Sequence, residues 1–444
     1  VKKLQRKIEK QQEKIEVITA EKMYLFMENE TLKEKITELK EGKKKKKIYP
    51  TTPKKSGTKK KPGRKPGFKG TSRKKPDHID DVVEATCDAC PHCGSVLGTS
   101  VEVTERYVED ITPPKSHVTK YKTHRYFCSH CNEMVSATPV EVIPNCRLGL
   151  NVTLIAAYLR CGLHLPFEKI RENFEICFGI KTTKTTIYNH IKLLASYYKE
   201  EFEAIKERLK ESKAVYVDET GWKINGVNHW LWTFVTECAV LFTIDKRRSS
   251  DVPKEILGDD FDGVIISDFY SAYHTKLPYK KQKCLVHFLR DAGEISQNTA
   301  EAKRFYRRMK RFIKDAAKFK EGHDPQKDII KAKKRFQRRL DRIIGESYTD
   351  PDCKRLVKRL KQHRGSLLTF LEVKSVEYHN NTAERALRPL VVQRKISSGN
   401  KTESGAETQE IMTSIHGTYK LRNENFLEEA GKFMRNQLGQ GTAY

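Results

Sequence analysis

No apolar run in this chain approaches the roughly 20 residues needed to cross a bilayer. The longest, such as 239–244 and 263–266, are the size of strands, which excludes a membrane-spanning helix. The sequence starts Val1-Lys2-Lys3, charged where a secretory signal needs an apolar stretch, so the expected compartment is the cytoplasm. Apolar residues are also scarce, 37% of 444, as when much of a chain is coiled coil, tail or charged surface. Acid is short against base: 58 Asp and Glu face 86 Lys and Arg, leaving a net charge of +28 that calls for a polyanionic partner. What is present in quantity is length, enough for about three domains, and 11 cysteines. Some of these form CxxC-type pairs, which in a reducing compartment read as metal ligands and not as disulfides.

The expected order is a coiled coil over 1–41, a basic linker over 42–80, a zinc ribbon over 81–145 and a helical segment over 146–212. A catalytic domain over 213–295 and 376–420 follows, interrupted by a helical basic insertion over 296–375 and closed by a C-terminal tail over 421–444. Leu4, Gln11, Ile18, Leu25, Leu32 and Leu39 occupy one seam position of the coiled coil; Ile8, Ile15, Lys22, Asn29 and Ile36 occupy the other. A buried Asn there favours two strands in register, so a parallel homodimer is expected, against one long helix folding back on its own chain. The linker carries Lys and Arg without acid between 42 and 76, spaced by Pro and Gly. It is expected to be disordered alone and to bind phosphate by counterion release, with Arg64 and Lys65 as DNA contacts and Arg64 suited to a minor groove.

Cys90-Pro-His-Cys93-Gly and Cys128-Ser-His-Cys131 flank two segments read as strands, 101–111 and 117–127. A two-residue spacer lets two thiolates reach one ion, so Cys90, Cys93, Cys128 and Cys131 are the expected ligands of a structural zinc. Cys87 with Cys90 offers a rival register, but Pro91 and Gly94 favour a turn at Cys90–Cys93; His92 and His130 are expected to be exposed. Further on, Ile170, Phe174 and Phe178 form one helical stripe that Gly179 can cap. Thr182 or Thr183 can start a second helix with Ile187, Ile191 and Leu194 inside. This is either a helix-turn-helix presenting Lys184, Thr185, Tyr188 and Asn189 to DNA or a plain packing pair.

Chemistry enters at Ala214-Val-Tyr-Val-Asp218, a strand ending in acid, followed by the hairpin dipeptide Asn225-Gly226 and two more strands. A crossover leads to Gly263-Val-Ile-Ile-Ser-Asp268. Three meandering strands, a crossover and a parallel strand are what a ribonuclease-H-like sheet needs, and that order sets Asp218 beside Asp268. Two carboxylates on neighbouring strand ends repel unless a divalent cation lies between them, and oxygen-only ligation suits magnesium. Glu384, early in a helix capped by Asn381 or Thr382, is either a third such acid or an i,i+4 partner of Arg388. Glu219 and Asp260 are the reserve ligands. His287 either orients a phosphate or metal-bound water or is a core histidine, and the three Trp read as core.

Several motifs resemble the transposases of the insertion sequence 66 family: Val-Asp-Glu-Thr-Gly-Trp (217–222), Asn-His-Trp-Leu-Trp (228–232), Ser-Asp-Phe-Tyr-Ser-Ala-Tyr (267–273), Cys284-x-x-His287-x-x-Arg290 and Asn-Asn-Thr-Ala-Glu-Arg-Ala-Leu-Arg-Pro (380–389). Gly-Arg-Lys-Pro-Gly (63–67), the ribbon, Gly-x-His-Leu-Pro (162–166) and the stretch from Arg394-Lys395 to Gly405 extend the likeness over nearly the whole chain. His379 departs from it where an Asp is expected, as does the extra Cys87. The resemblance implies an α/β chain whose ribonuclease-H-like core carries Asp218, Asp268 and Glu384 as a DDE triad with magnesium or manganese. It also implies cleavage and strand transfer on double-stranded DNA, both transposon ends and target, a nucleoid-associated prokaryotic location, and accessory proteins encoded by the same element. Arg307, Arg308, Arg311 and Arg338 of the insertion, with Arg394 and Lys395, complete the expected DNA contacts. A zinc-ribbon coiled-coil regulator would share the charge without needing three acids; a structure-specific nuclease would keep the acids but stop at hydrolysis.

Overall fold

The computed structural model describes residues 75–111, 114–136, 142–144, 146–274, 277–322 and 325–439, with side chains at 325–328 left out. The expected coiled coil, most of the linker, Arg64 and Lys65 lie outside the described residues. The chain divides into two units, one ending at Glu109 and the other beginning at Asp110.

In the first unit the described chain is exposed and largely extended, with a small knuckle at Cys90–Cys93. An isolated antiparallel bridge joins Ala89 to Val96, and Cys90 N donates to Ser95 O at 2.9 Å. Gly94 closes the turn at φ 74°, a left-handed angle that favours glycine. The expected strand over 101–111 does not form. Val101, Val103 and Val108 are the β-branched residues a strand favours, but all three are exposed, and such residues without a surface to bury against give no ladder.

The second unit opens on a hairpin, β1 (Arg125–Cys128) and β2 (Glu133–Ser136), turning through Asn132 at φ 56°. The strand expected over 117–127 is thus confined to its last residues and Cys128. Four helices follow: α1 (Leu150–Cys161), α2 (Phe167–Phe178), α3 (Lys184–Tyr197) and α4 (Lys199–Lys210). Gly179 ends α2 at φ 67°, and Thr183 caps α3 by accepting from Thr186 N at 3.1 Å.

The central sheet holds β3 (Ala214–Ile224), β4 (Val227–Val235), β5 (Val240–Asp245), β6 (Val264–Ser267) and β7 (Lys280–Lys283) in the order β5-β4-β3-β6-β7. β3, β4 and β5 are antiparallel neighbours; β6 and β7 run parallel to β3. Asn225 and Gly226, at φ 49° and 78°, supply the two left-handed residues that a two-residue hairpin needs. The crossover to β6 passes through α5 (Asp251–Leu257).

Alternation along the strands serves two cores. Ala214, Tyr216, Ile266 and Val264 face one that includes α6 (Leu285–Ile295), α7 (Ala300–Gly322), α8 (Pro325–Ile344), α9 (Pro351–Gln362) and α10 (Asn381–Ser397). Val215, Val217 and Ile265 face the other, shared with α1 to α5. The helical segment ahead of the sheet therefore packs on the central sheet itself. The span read as a tail holds helix α12 (Phe426–Gly439), whose Phe426, Ala430 and Met434 are buried at i, i+4 spacing in that second core. α11 (Glu403–Leu421) lies along β5: Ser414 Oγ accepts from Phe242 N at 2.8 Å, Thr418 Oγ1 from Val240 N at 3.1 Å, and Glu410 from Ile244 N. No helix among the described residues is long and apolar enough to cross a membrane.

Candidate active site

The β3–β6 register pairs Tyr216 with Ile266, so Asp218 and Asp268 each stand two residues further on, at the same level on adjacent parallel strands. Asp218 shares the face of Tyr216, toward α6 and α10, because side chains alternate. Glu384 lies in the first turn of α10.

That helix start is tied to the sheet at several points. Tyr216 Oη donates to Ser375 O and accepts from Glu377 N, both at 3.0 Å, and Leu285 N donates to Tyr378 O at 2.8 Å. Asn380, the residue before the helix, donates from Nδ2 to Val217 O at 2.8 Å and from its backbone N to Cys284 Sγ at 3.2 Å. Asn380 takes the capping position expected of Asn381 or Thr382, but its side chain is committed to β3 and caps nothing. The carbonyl it holds belongs to the residue before Asp218.

Electrostatics at the meeting point is anionic. The Asp218 carboxyl is pushed up to about 7, first by burial, then by the charges of Glu219, Asp268 and Glu384, against one hydrogen bond from Glu219 N at 3.1 Å. Glu384 Oε1 is buried without a hydrogen-bond partner, and His287 Nε2 stands 3.5 Å from it. The alternative partner Arg388 is not the one recorded. Crowded carboxylates with an orphaned oxygen are suited to a hard divalent cation; the group whose ligand atoms all lie within 4.8 Å of one another among the described residues is Cys284, His287 and Glu384, without Asp218 or Asp268.

Glu219 faces the opposite side of the sheet, where Arg248 donates to its Oε1 at 2.9 and 3.0 Å and Tyr273 donates to Oε2. Arg248 is itself stacked between Trp230 and Tyr270, 4.1 Å from each ring centroid. Glu219 is thus spent on a structural network, which removes it from the reserve ligands. Asp260 is removed by topology: it lies exposed ahead of β6, while Asp268 follows that strand. Trp222 and Trp232 are core; Trp230 is half-buried beneath Arg248.

Lys283 was not singled out in the sequence. It is fully buried opposite Ser267, donating to Asp268 O at 2.8 Å and Ser267 Oγ at 3.1 Å, and burial lowers its ammonium to about 8. It fixes the backbone of Asp268 and adds a positive charge beside the acids. The signal for it in the sequence, a lysine two residues ahead of α6, is too weak to read.

Among the expected DNA contacts, Lys184 and Lys395 are exposed, and Tyr188 is half-buried edge-on to Phe167; Lys184 also pairs with Glu168 at 3.2 Å. Arg307, Arg311 and Arg338 are exposed on α7 and α8, whereas Arg308 pairs with Glu346. Arg394 is engaged inside the fold, donating to Thr220 Oγ1 at 3.0 Å and to Gly221 O. Of the four cysteines expected to bind zinc, Cys90 and Cys93 lie in the first unit and Cys128 and Cys131 in the second. Hydrogen bonds lower the Cys93 thiol, chiefly from Ser95, and the Cys128 thiol, chiefly from Cys131 N; His92 and His130 are exposed.

A mixed sheet of this order flanked by helices, with Asp218 under the negative charge of Glu219, Asp268 and Glu384, defines an α/β protein with an anionic centre at the ends of β3 and β6. Residues 148–408 match the family described as Transposase IS66 family, and the chain belongs to it. Two proteins of Sinorhizobium fredii (strain NBRC 101917 / NGR234), both described as uncharacterized, are similar over most of their length. One, y4hP, is 23% identical over 419 residues, covering 83% of this chain and 73% of its own. The other, y4qI, is 24% identical over 403 residues, covering 79% and 71%.

Proposed function

We propose that this transposase cuts and joins DNA with a DDE triad, Asp218, Asp268 and Glu384, on a ribonuclease-H-like core, moving an insertion sequence. The observation that supports the reading is that Asp218 and Asp268 stand at the same level on adjacent parallel strands, with the charges of Asp268 and Glu384 both felt at the buried Asp218 carboxyl. Magnesium or manganese bound by these residues supplies Lewis-acid stabilisation of the attacking and leaving oxygens at phosphorus. The chain contributes position: Asn380 and Tyr216 set Glu384 against β3, and Lys283 holds the Asp268 backbone. Near neutral pH, Asp218 alternates between acid and carboxylate until a cation fixes it ionised. The exposed cations of α7 and α8 grip phosphates of double-stranded DNA, as do Lys184, Lys395 and the basic linker.

The spacing of the two cysteine pairs supports a structural zinc on Cys90, Cys93, Cys128 and Cys131. A parallel homodimer through residues 1–41 and accessory proteins of the same element complete the reading. The test is strand transfer onto a supercoiled target with magnesium, manganese or calcium, for wild type, Asp218→Asn, Asp268→Asn and Glu384→Gln, beside DNA binding across a salt series. Joining should fall by orders of magnitude in each variant while affinity holds. Hydrolysis without joining would make the protein a nuclease, and equal loss of binding and joining would make the acids structural.

A further inference from the structure

The strand-transfer reading uses Glu384 through its closeness to Asp218 and leaves two side chains on its other flank without a role. Cys284 is the N-cap of α6 and His287 lies three residues on, so the Cys-x-x-His spacing brings both to the first turn of one helix. One ligand atom from each of Cys284, His287 and Glu384 lies within 4.8 Å of the other two. The start of α6 aims the backbone N–H groups of Val286 and His287 at the sulfur, and the start of α10 adds that of Asn380; they favour the thiolate, against the burial that raises the thiol. Glu384 Oε1 and His287 Nδ1 are both buried with no hydrogen-bond partner.

Sulfur, imidazole nitrogen and carboxylate oxygen form a set that magnesium does not use and that zinc or cobalt prefers. We infer that Cys284, His287 and Glu384 form a second metal site, selective for a thiophilic divalent cation, which competes with the triad for the Glu384 carboxylate. A carboxylate drawn toward Cys284 and His287 is withdrawn from Asp218 and Asp268. Zinc in excess of the ribbon's share then inhibits the magnesium-dependent reaction. The inhibition rests on the reading of Glu384 as a triad member; the binding of the cation does not.

The test uses full-length protein and cobalt as the probe, followed by its thiolate charge-transfer absorption. Wild type should take up cobalt with such a band that Cys284→Ser loses and Cys128→Ser keeps, and His287→Asn should weaken it by at least about tenfold. Identical cobalt uptake and spectra in wild type and Cys284→Ser would overturn the site. If Cys284→Ser does not fold, His287→Asn decides alone, and unchanged cobalt affinity there overturns it. In a second arm, zinc is titrated into the magnesium-supported joining reaction: progressive loss is expected, and joining indifferent to zinc overturns the competition. Absence of joining under every condition would strike the strand-transfer reading, with the cobalt band still deciding the site.

Discussion

Replacing Asp218 by asparagine should make the protein more stable while it destroys activity, provided no divalent ion is added. The wild-type carboxyl titrates at about 7 in the fold against an ordinary 3.8, because burial and neighbouring carboxylates penalise its charge. Such a raised value means that the fold binds the proton more tightly than the unfolded chain does. The stability tied to it is complete below about pH 4, falls as pH rises toward 7, and is level above that. The difference of about 3 units corresponds to a ceiling of about 4 kcal/mol at pH 8. The asparagine amide must still be buried in place of the acid, which offsets part of that, so a gain of roughly 2 kcal/mol is expected for Asp218→Asn. Urea unfolding at pH 5 and pH 8, in buffer without added magnesium but with zinc left in place, measures it. The advantage of Asp218→Asn should grow between the two pH values, and millimolar magnesium should restore wild type and not the variant. Parallel pH dependence of the two proteins would refute the argument that Asp218 sits in a crowd of negative charge.

Asn380→Ala should cost roughly 1–3 kcal/mol, because it strands the buried carbonyl of Val217, and should slow joining more than it weakens DNA binding, since it loosens Glu384 against β3. Arg248→Ala should cost roughly 3 kcal/mol by leaving Glu219 a buried carboxylate with Tyr273 alone, whereas Arg248→Ala with Glu219→Gln should recover part of it in the same urea titration. Gly399→Ala should destabilise strongly: a Cβ there would stand 2.3 Å from Lys223 O, at a φ of 113° that side chains rarely adopt, and the melting temperature should drop. Cys128→Ser should lose the bound zinc, measured by metal analysis of the purified protein.

The elements that declared themselves in the sequence are those whose pattern is their packing. Asn225-Gly226 between apolar runs gave the β3–β4 hairpin, and Gly179 and Thr183 marked the ends of α2 and α3, because special backbone angles demand special residues. Asp268 stood out as an acid just past an apolar strand; Asp218 reads as a strand end, but β3 runs on through it to Ile224 because that half pairs with β4. β7 did not, since Lys-Lys-Gln-Lys has no apolar alternation. It is a strand because its polar groups are individually matched: Gln282 bonds Leu367 O and Phe370 N, and Lys283 bonds Ser267 and Asp268. Those partners lie up to 88 residues away, out of reach of any local pattern. The same holds for Asn380, whose partner is on β3, and for Glu219, where a neighbouring-acid pattern suggested a ligand and a distant Arg248 claimed the side chain. The valines of 101–108 misled in the other direction, with β-branched residues but no burial.

Both margins of the central sheet are closed, and this bears on how two copies can meet. Along β5, hydroxyls and a carboxylate of α11 occupy the backbone donors that another strand would use. Beside β7, Thr369 Oγ1 takes the Lys281 carbonyl at 2.7 Å. A second molecule therefore finds no open ladder to extend. Among the described residues, strand addition at the central sheet is thus no route by which two copies can meet, because its outer hydrogen-bonding groups are already taken by α11 and by the segment at Thr369.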